Sequence, residues 1–287
     1  MAQVINVTKI SASDIQFSEP RKNKNGGGSI SFKFKGQACD FRIPQVTFPG
    51  GLQVKENPNK DGSSTTSYTI SASLNGGDPY GQTTSTDPSE TAKLYNFMHA
   101  LQERVVAEAV EKSVSWFGKK RSEDSLRDSF NKFISLSVDK TPEGWIPNGK
   151  YPPSLRLKVP VYDGKVAMDL IDSEDNDVLL TPDTLADVFT KGTSAKFVLQ
   201  GSIYMVGQSF GVTWKPKHGQ VFQRKRQTAR DFFKADKEDE EVEVEAEEET
   251  KEETVEAETS QQPTPSEPEA EAIPAAAESK PARRRKA

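Results

Sequence analysis

The chain contains one cysteine, Cys39, in 287 residues. No intrachain disulfide can staple it, and a reducing compartment is the expected setting. Histidine is almost as scarce: only His99 and His218 occur, and with one thiol they cannot supply the ligand spacing of a structural zinc. Long apolar runs are missing. No stretch approaches eighteen apolar residues, and Met1-Ala-Gln-Val-Ile-Asn-Val-Thr-Lys9 lacks the basic and apolar regions of a secretory signal. An intracellular protein without membrane contact is expected.

Chemistry is thin as well. Gly26-Gly-Gly-Ser29 is not followed by the lysine and hydroxyl of a phosphate-binding loop and reads as a turn. The run Asp172-Ser-Glu-Asp-Asn-Asp177 has calcium-loop alternation but lacks the glycine and the distal glutamate, so it reads as a solvated loop. Cys39, inside a strand, reads as a small core residue. His99 falls one position off an apolar helical stripe, at its boundary. These features leave no catalytic constellation, no metal site and no cofactor, and the expectation is a binding protein rather than an enzyme.

What is present is an uneven distribution of charge. Met1 to Lys234 holds 31 Lys and Arg against 25 Asp and Glu, a net charge of +6, whereas Ala235 to Ala287 holds 7 against 18, or −11. The acidic total therefore conceals a basic body, which suits a polyanionic partner. Residues 235–287 consist largely of Glu, Ala, Thr and Pro and end in Arg283-Arg-Arg-Lys286. Such a segment has too little apolar surface to offset the entropy of ordering, and a disordered acidic tail with a terminal basic cluster is expected.

Residues 1–234 read as one mainly β domain. Ile30, Phe32 and Phe34 alternate with Ser31, Lys33 and Lys35, the period of a strand. Phe41 to Val46 and Thr66 to Leu74 continue the pattern, with turn chemistry at Pro49-Gly-Gly51 and from Asn57 to Gly62. A helical insertion occupies about 88–133. Asp87-Pro88-Ser89-Glu90 predicts a helix start with Asp87 as N-cap and Pro88 in the first turn. Leu94, Phe97, Met98, Leu101, Val105 and Ala109 form one stripe, and Gly118 closes the helix after Phe117. A second helix from Glu123 to Phe133 is capped by Ser122. Strands resume at Leu155–Pro160, Val166–Ile171, Ala195–Val206 and Gly211–Lys215, with Gln220–Arg224 as a last one and a turn of helix after Thr181-Pro-Asp183. Strands with helices inserted in the middle suggest an OB-like β-barrel; a β-sandwich is the rival.

Aromatic residues interleave with cations on these strands, the two ingredients of a surface that stacks bases and neutralises phosphates. The candidates are Lys33, Lys35, Arg42, Tyr151, Arg156, Lys158, Phe210, Trp214, Lys215 and Lys217. Alternation complicates the aromatics: Phe32, Phe34 and Trp214 read either as core residues or as stacking platforms. In Leu155-Arg-Leu-Lys-Val159 the apolar residues take the core and leave Arg156 and Lys158 side by side outside, as phosphate contacts or as ordinary soluble surface. Lys119-Lys-Arg121 reads either as a charge complement to the helix C-terminus or as a phosphate clamp.

Four stretches carry a resemblance: Gly144-Trp145, Tyr151-Pro-Pro-Ser-Leu-Arg-Leu-Lys-Val-Pro160, Lys191-Gly-Thr193 and Gly207-Gln-Ser-Phe-Gly-Val-Thr-Trp-Lys215. They resemble the single-stranded-DNA-binding proteins of nucleocytoplasmic large DNA viruses, which are similar to podophage-type replication proteins with an OB fold and an acidic tail. The resemblance spans roughly Ser29 to Arg224. It implies sequence-independent binding of single-stranded DNA in viral replication, recombination or repair, at a replication site in the host nucleus or cytoplasm, with Arg156, Lys158, Trp214 and Lys215 near the groove. It also implies a tail that contacts a viral polymerase or helicase. This chain departs from the pattern by ending in a basic cluster, which reads equally as a nuclear-import signal. A homodimer stays open. The rival readings are a scaffolding protein that uses the sheet for protein contacts and a duplex-binding transcription factor.

Overall fold

The alternation of apolar and polar side chains sets the strands, and their pairing closes them into a barrel. The computed structural model describes residues 2–23, 26–58, 62, 64–142 and 144–223. The chain divides into two units, Met1–Lys225 and Arg226–Ala287, and the described residues belong to the first. The expected acidic tail, its basic cluster and the residues from Arg224 to Lys234 lie outside them.

The main strands are β1 (Gly28–Phe34), β2 (Gln37–Arg42), β3 (Val46–Phe48), β4 (Leu52–Pro58), β5 (Ser64–Ser73), β6 (Ser154–Val159), β7 (Thr193–Val206) and β8 (Ser209–Phe222). Five of them form a ring. β3 meets β5 at Thr47–Ser73, β5 runs antiparallel to β6, β6 pairs parallel with β8 at Leu157–Trp214, β8 forms a long hairpin with β7, and β7 returns to β3 at Thr193–Ala195. Taken in chain order within the ring, the sequence of neighbours is 1-2-3-5-4-1 with strands 3 and 5 parallel. This is the five-stranded Greek-key barrel of the OB fold, and it removes the sandwich alternative.

Two irregularities make closure possible. Pro49-Gly-Gly51 does not reverse the chain: β3 and β4 both run antiparallel to β5, so the glycines bend one long strand. Gly51 has φ +63, and a Cβ there would lie 2.7 Å from the Phe189 carbonyl oxygen, so only glycine fits this bend. β8 continues through Pro216 instead of stopping at Lys215. The register shifts between Val198 and Leu199, which pair with His218 and Pro216, leaving Lys217 as the extra residue of a bulge. A proline without an N–H is tolerated in a strand at such a place.

The helices are α1 (Glu90–Glu111), α2 (Ser113–Phe117), α3 (Glu123–Ser129) and α4 (Leu185–Val188). The whole predicted stripe of α1 is buried, together with Tyr95, Gln102 and Val106. Its N-cap is Ser89, whose hydroxyl accepts from Ala92 N–H, while the Asp87 carboxylate accepts from Ser89 N–H one step earlier. Asp87 and Pro88 therefore precede the helix they were expected to open. The helix breaks at Lys112, and Gly118 in the left-handed region (φ +74) caps α2. Ser122 caps α3 as expected, but α3 ends at Ser129 because Phe130–Asn131 pairs with β8 and Ile134–Ser135 pairs with β6.

The core has two aromatic clusters. Phe48, Phe189 and Phe197 pack inside the barrel. Phe32, Phe41, Phe133 and Trp214 join the sheet to the insertion, with Trp214 stacked on Phe32 at 5.7 Å and 4°. Cys39 is buried, and burial pushes its thiol up to about 12, consistent with a core residue.

Candidate nucleic-acid interface

Ring strands β6 and β8 are bonded at a single register pair and diverge below it. The segment returning from the helical insertion fills the wedge: Phe130–Asn131 adds to β8 and Ile134–Ser135 adds to β6. Buried Gln102 on α1 ties it down, its side-chain oxygen accepting from Phe133 N–H (3.0 Å) and Ile134 N–H (3.1 Å). Over this wedge lies a groove of about 440 Å³, rimmed by Arg156, Lys158, Lys132, Asn131, Tyr204 and Thr69. Ser135 also lines a second depression of about 310 Å³ that holds Ser71, Ser154 and Tyr151, so the two adjoin at Ser135 and together make up a track along β5 and β6.

The electrostatics of this track follow from strand register. Leu155, Leu157 and Val159 are buried, which forces Arg156 and Lys158 outward, about 7 Å apart along the strand. Their partners on β5 are Ser71 and Thr69, hydroxyls that cannot neutralise them. Among the described residues, neither cation is ion-paired, nor is Lys132. On the far side the register places Lys215 beside Lys158. Lys215 Nζ donates to the Tyr162 hydroxyl at 2.7 Å and sits 5.4 Å from its ring centroid. Tyr162 is exposed, on a hairpin closed by Asp163 (φ 49) and Gly164 (φ 73), both left-handed as a tight two-residue turn requires. Tyr151, at the other end, is exposed under Lys150. The arrangement is a row of cations between two open phenol rings.

Of the predicted residues, Arg156 and Lys158 share the groove, Lys215 neighbours Lys158 through the pairing of β6 with β8, and Tyr151 lines the adjoining depression. The others do not join them. Trp214 lines the groove floor but is 1% exposed, and Phe210 is fully buried against Phe117 and Phe130. Both are core residues and present no face to a base, because β8 alternation turns them inward. Lys33 and Lys35 belong to the β1–β2 hairpin, Lys35 as a turn residue with φ 49. Arg42 lies in a separate depression with Lys9 and Lys196. Lys217 is committed to buried Asp40, with Nζ 2.8 Å from Oδ2. Lys217→Met will therefore lower stability by about 1–3 kcal/mol, the cost of leaving a buried acceptor unsatisfied. Urea denaturation measures this loss.

Arg121 has a structural role. Its guanidinium donates to the Gln208 carbonyl at 2.8 Å and to Ser125 and Ser129, and it lies over the Phe117 ring. The Asp172 carboxylate is likewise occupied, accepting from Asn176 and Glu174 backbone N–H groups; these bonds hold it below its ordinary pKa. No group of three metal-ligating residues occurs among the described residues.

Sequence reasoning missed Lys132, Asn131, Tyr204 and Tyr162. Tyr162 carried a usable signal, the Asp163-Gly164 turn after a strand. Lys132 carried none, because its segment continues a helical pattern. Gly207-Gln-Ser-Phe-Gly211 matches the Gly-x-Ser-x-Gly pattern of a nucleophile elbow. It forms the β7–β8 hairpin turn, not the strand-to-helix elbow that activates a serine.

No protein-family model matches the chain, and no curated protein does. Solved structures of similar shape include the single-stranded DNA-binding protein from bacteriophage Enc34, at 12% identity and TM-score 0.34, covering 74% of this chain and 90% of that one. Another is gp2.5, a single-stranded DNA-binding protein encoded by bacteriophage T7, at 11% identity and TM-score 0.38, covering 66% and 95%. The Enc34 protein in complex with single-stranded DNA matches at 13% identity and TM-score 0.32, covering 73% and 96%.

Proposed function

We propose that this chain binds single-stranded DNA without sequence preference and performs no chemical step. The observation that carries the reading is the unneutralised row of Arg156 and Lys158 on the outer face of ring strands 2 and 3, the face with which OB folds bind oligonucleotides. Phosphates lie along Lys132, Arg156, Lys158 and Lys215, while bases stack on Tyr151 and Tyr162, each stack contributing about 1–3 kcal/mol.

The finer parts of the proposal rest on sequence. A role in viral DNA replication rests on the resemblance of the motifs after Gly144. The segment from Ala235 onward, with its net charge of −11, acts as a competitor for the cationic track, at an effective concentration in the millimolar range set by its tether. The alternative role for the same segment is to engage a polymerase or helicase.

Fluorescence anisotropy of labelled oligothymidine across a salt series tests both parts. Expected is salt-sensitive binding that duplex competes poorly, tighter for a chain ending at Lys234 than for the full chain. Absence of binding by either chain at low salt refutes the reading and leaves a protein-contact role for the sheet.

A further inference from the structure

The strands Val138–Thr141 and Gly144–Pro147 form a hairpin that pairs with no other strand among the described residues. It turns large apolar side chains to solvent: Trp145 is 68% exposed, Val138 is exposed on the same face and Ile146 on the other, whereas Trp116 and Trp214 are buried. An indole left this open, on a hairpin that pairs with no other strand among the described residues, is free to stack on a flat partner. Cross-strand register places Lys140 opposite Trp145, so cation and ring share one face of the arm.

The root of the arm is at the end of the track. Asn148 N–H donates to the Ser137 carbonyl at 3.0 Å, and Ser137 and Tyr151 line the same depression. Trp145 stands three residues from Asn148, about 10 Å at strand spacing. We infer that the arm is a further stacking platform, onto which a single strand leaving the sheet past Tyr151 lays a base while Lys140 meets a phosphate. The inference rests on the reading of the track as a single-strand site. A polynucleotide fits the arm better than a second protein copy, because the exposed ring lies opposite Lys140 and next to the depression where Tyr151 sits under Lys150.

Trp145 is the one exposed tryptophan, so emission accessible to acrylamide reports on it alone. The full chain is titrated with oligothymidines of about 4 to 16 nucleotides, the range occupied by single OB barrels. Short oligomers raise anisotropy without shielding Trp145; beyond a threshold length, binding quenches its emission and excludes acrylamide. Trp145→Ala weakens the long oligomers about tenfold and the short ones less than about twofold, and Trp145→Phe restores the long-oligomer affinity. Oligomers that bind at every length with Trp145 still open to acrylamide overturn the inference. So does shielding that grows with protein concentration in the absence of DNA, which assigns the arm to self-association. If no length changes the anisotropy, the track itself is not a single-strand site and the arm falls with it.

Discussion

Trp214→Ala will destabilise the domain by about 3–5 kcal/mol, the usual cost of deleting a large buried aromatic. That is a large share of the 5–15 kcal/mol that holds a domain folded. The indole stacks on Phe32, meets Phe41 and Phe133 edge-on, and lies over Gly201, where an added Cβ would come within 2.7 Å of both Trp214 and Phe32. Removing it opens a cavity at the junction of barrel and insertion. Urea denaturation reads the loss directly. Under conditions where the variant remains folded, its salt slope for oligothymidine will equal that of the parent, since no phosphate contact is touched. A variant of parental stability with weakened DNA binding would instead make Trp214 a stacking residue.

The second large effect concerns binding. Arg156→Ala combined with Lys158→Ala will weaken oligothymidine binding about 25-fold at 0.1 M salt, because each lost phosphate contact removes about 0.7 from the slope of log affinity against log salt. The slope itself will flatten by about 1.4. Stability will stay nearly constant, as both side chains are exposed and neither takes part in an ion pair among the described residues. The loss will be the same for oligothymidine and mixed sequences, which separates phosphate contact from base readout. An unchanged slope removes both residues from the path of the strand.

The two substitutions separate positions that the sequence presents as equals. Trp214-Lys215 and Arg156-Leu-Lys158 are alike as aromatic and cationic motifs, yet one side chain of the first is core and the cations of the second form the track. Alternation already pointed this way for β6, where three apolar residues identify the inner face. In β8 the bulge at Lys217 changes the phase of the strand, and the consequences reach the site: Lys217 meets Asp40, while Lys215 meets Tyr162. The partners lie 177 and 53 residues away in sequence, beyond the reach of any local pattern.

Sequence alone determined the features that depend on neighbours along the chain. The strand periods of β1, β5 and β6, the apolar stripe of α1, the caps at Ser122 and Gly118 and the outward direction of Arg156 and Lys158 are each set by side chains a few residues apart. Tertiary structure alone decided the features made by pairing distant segments: the ring closed through β3, β5, β6, β8 and β7, the wedge that brings Asn131 and Lys132 beside Arg156, and the burial of Phe210 and Trp214. The physical reason is that a strand's register and neighbours are chosen by the apolar surface the whole sheet can bury. A cation becomes part of a track only when that choice leaves it without a carboxylate alongside.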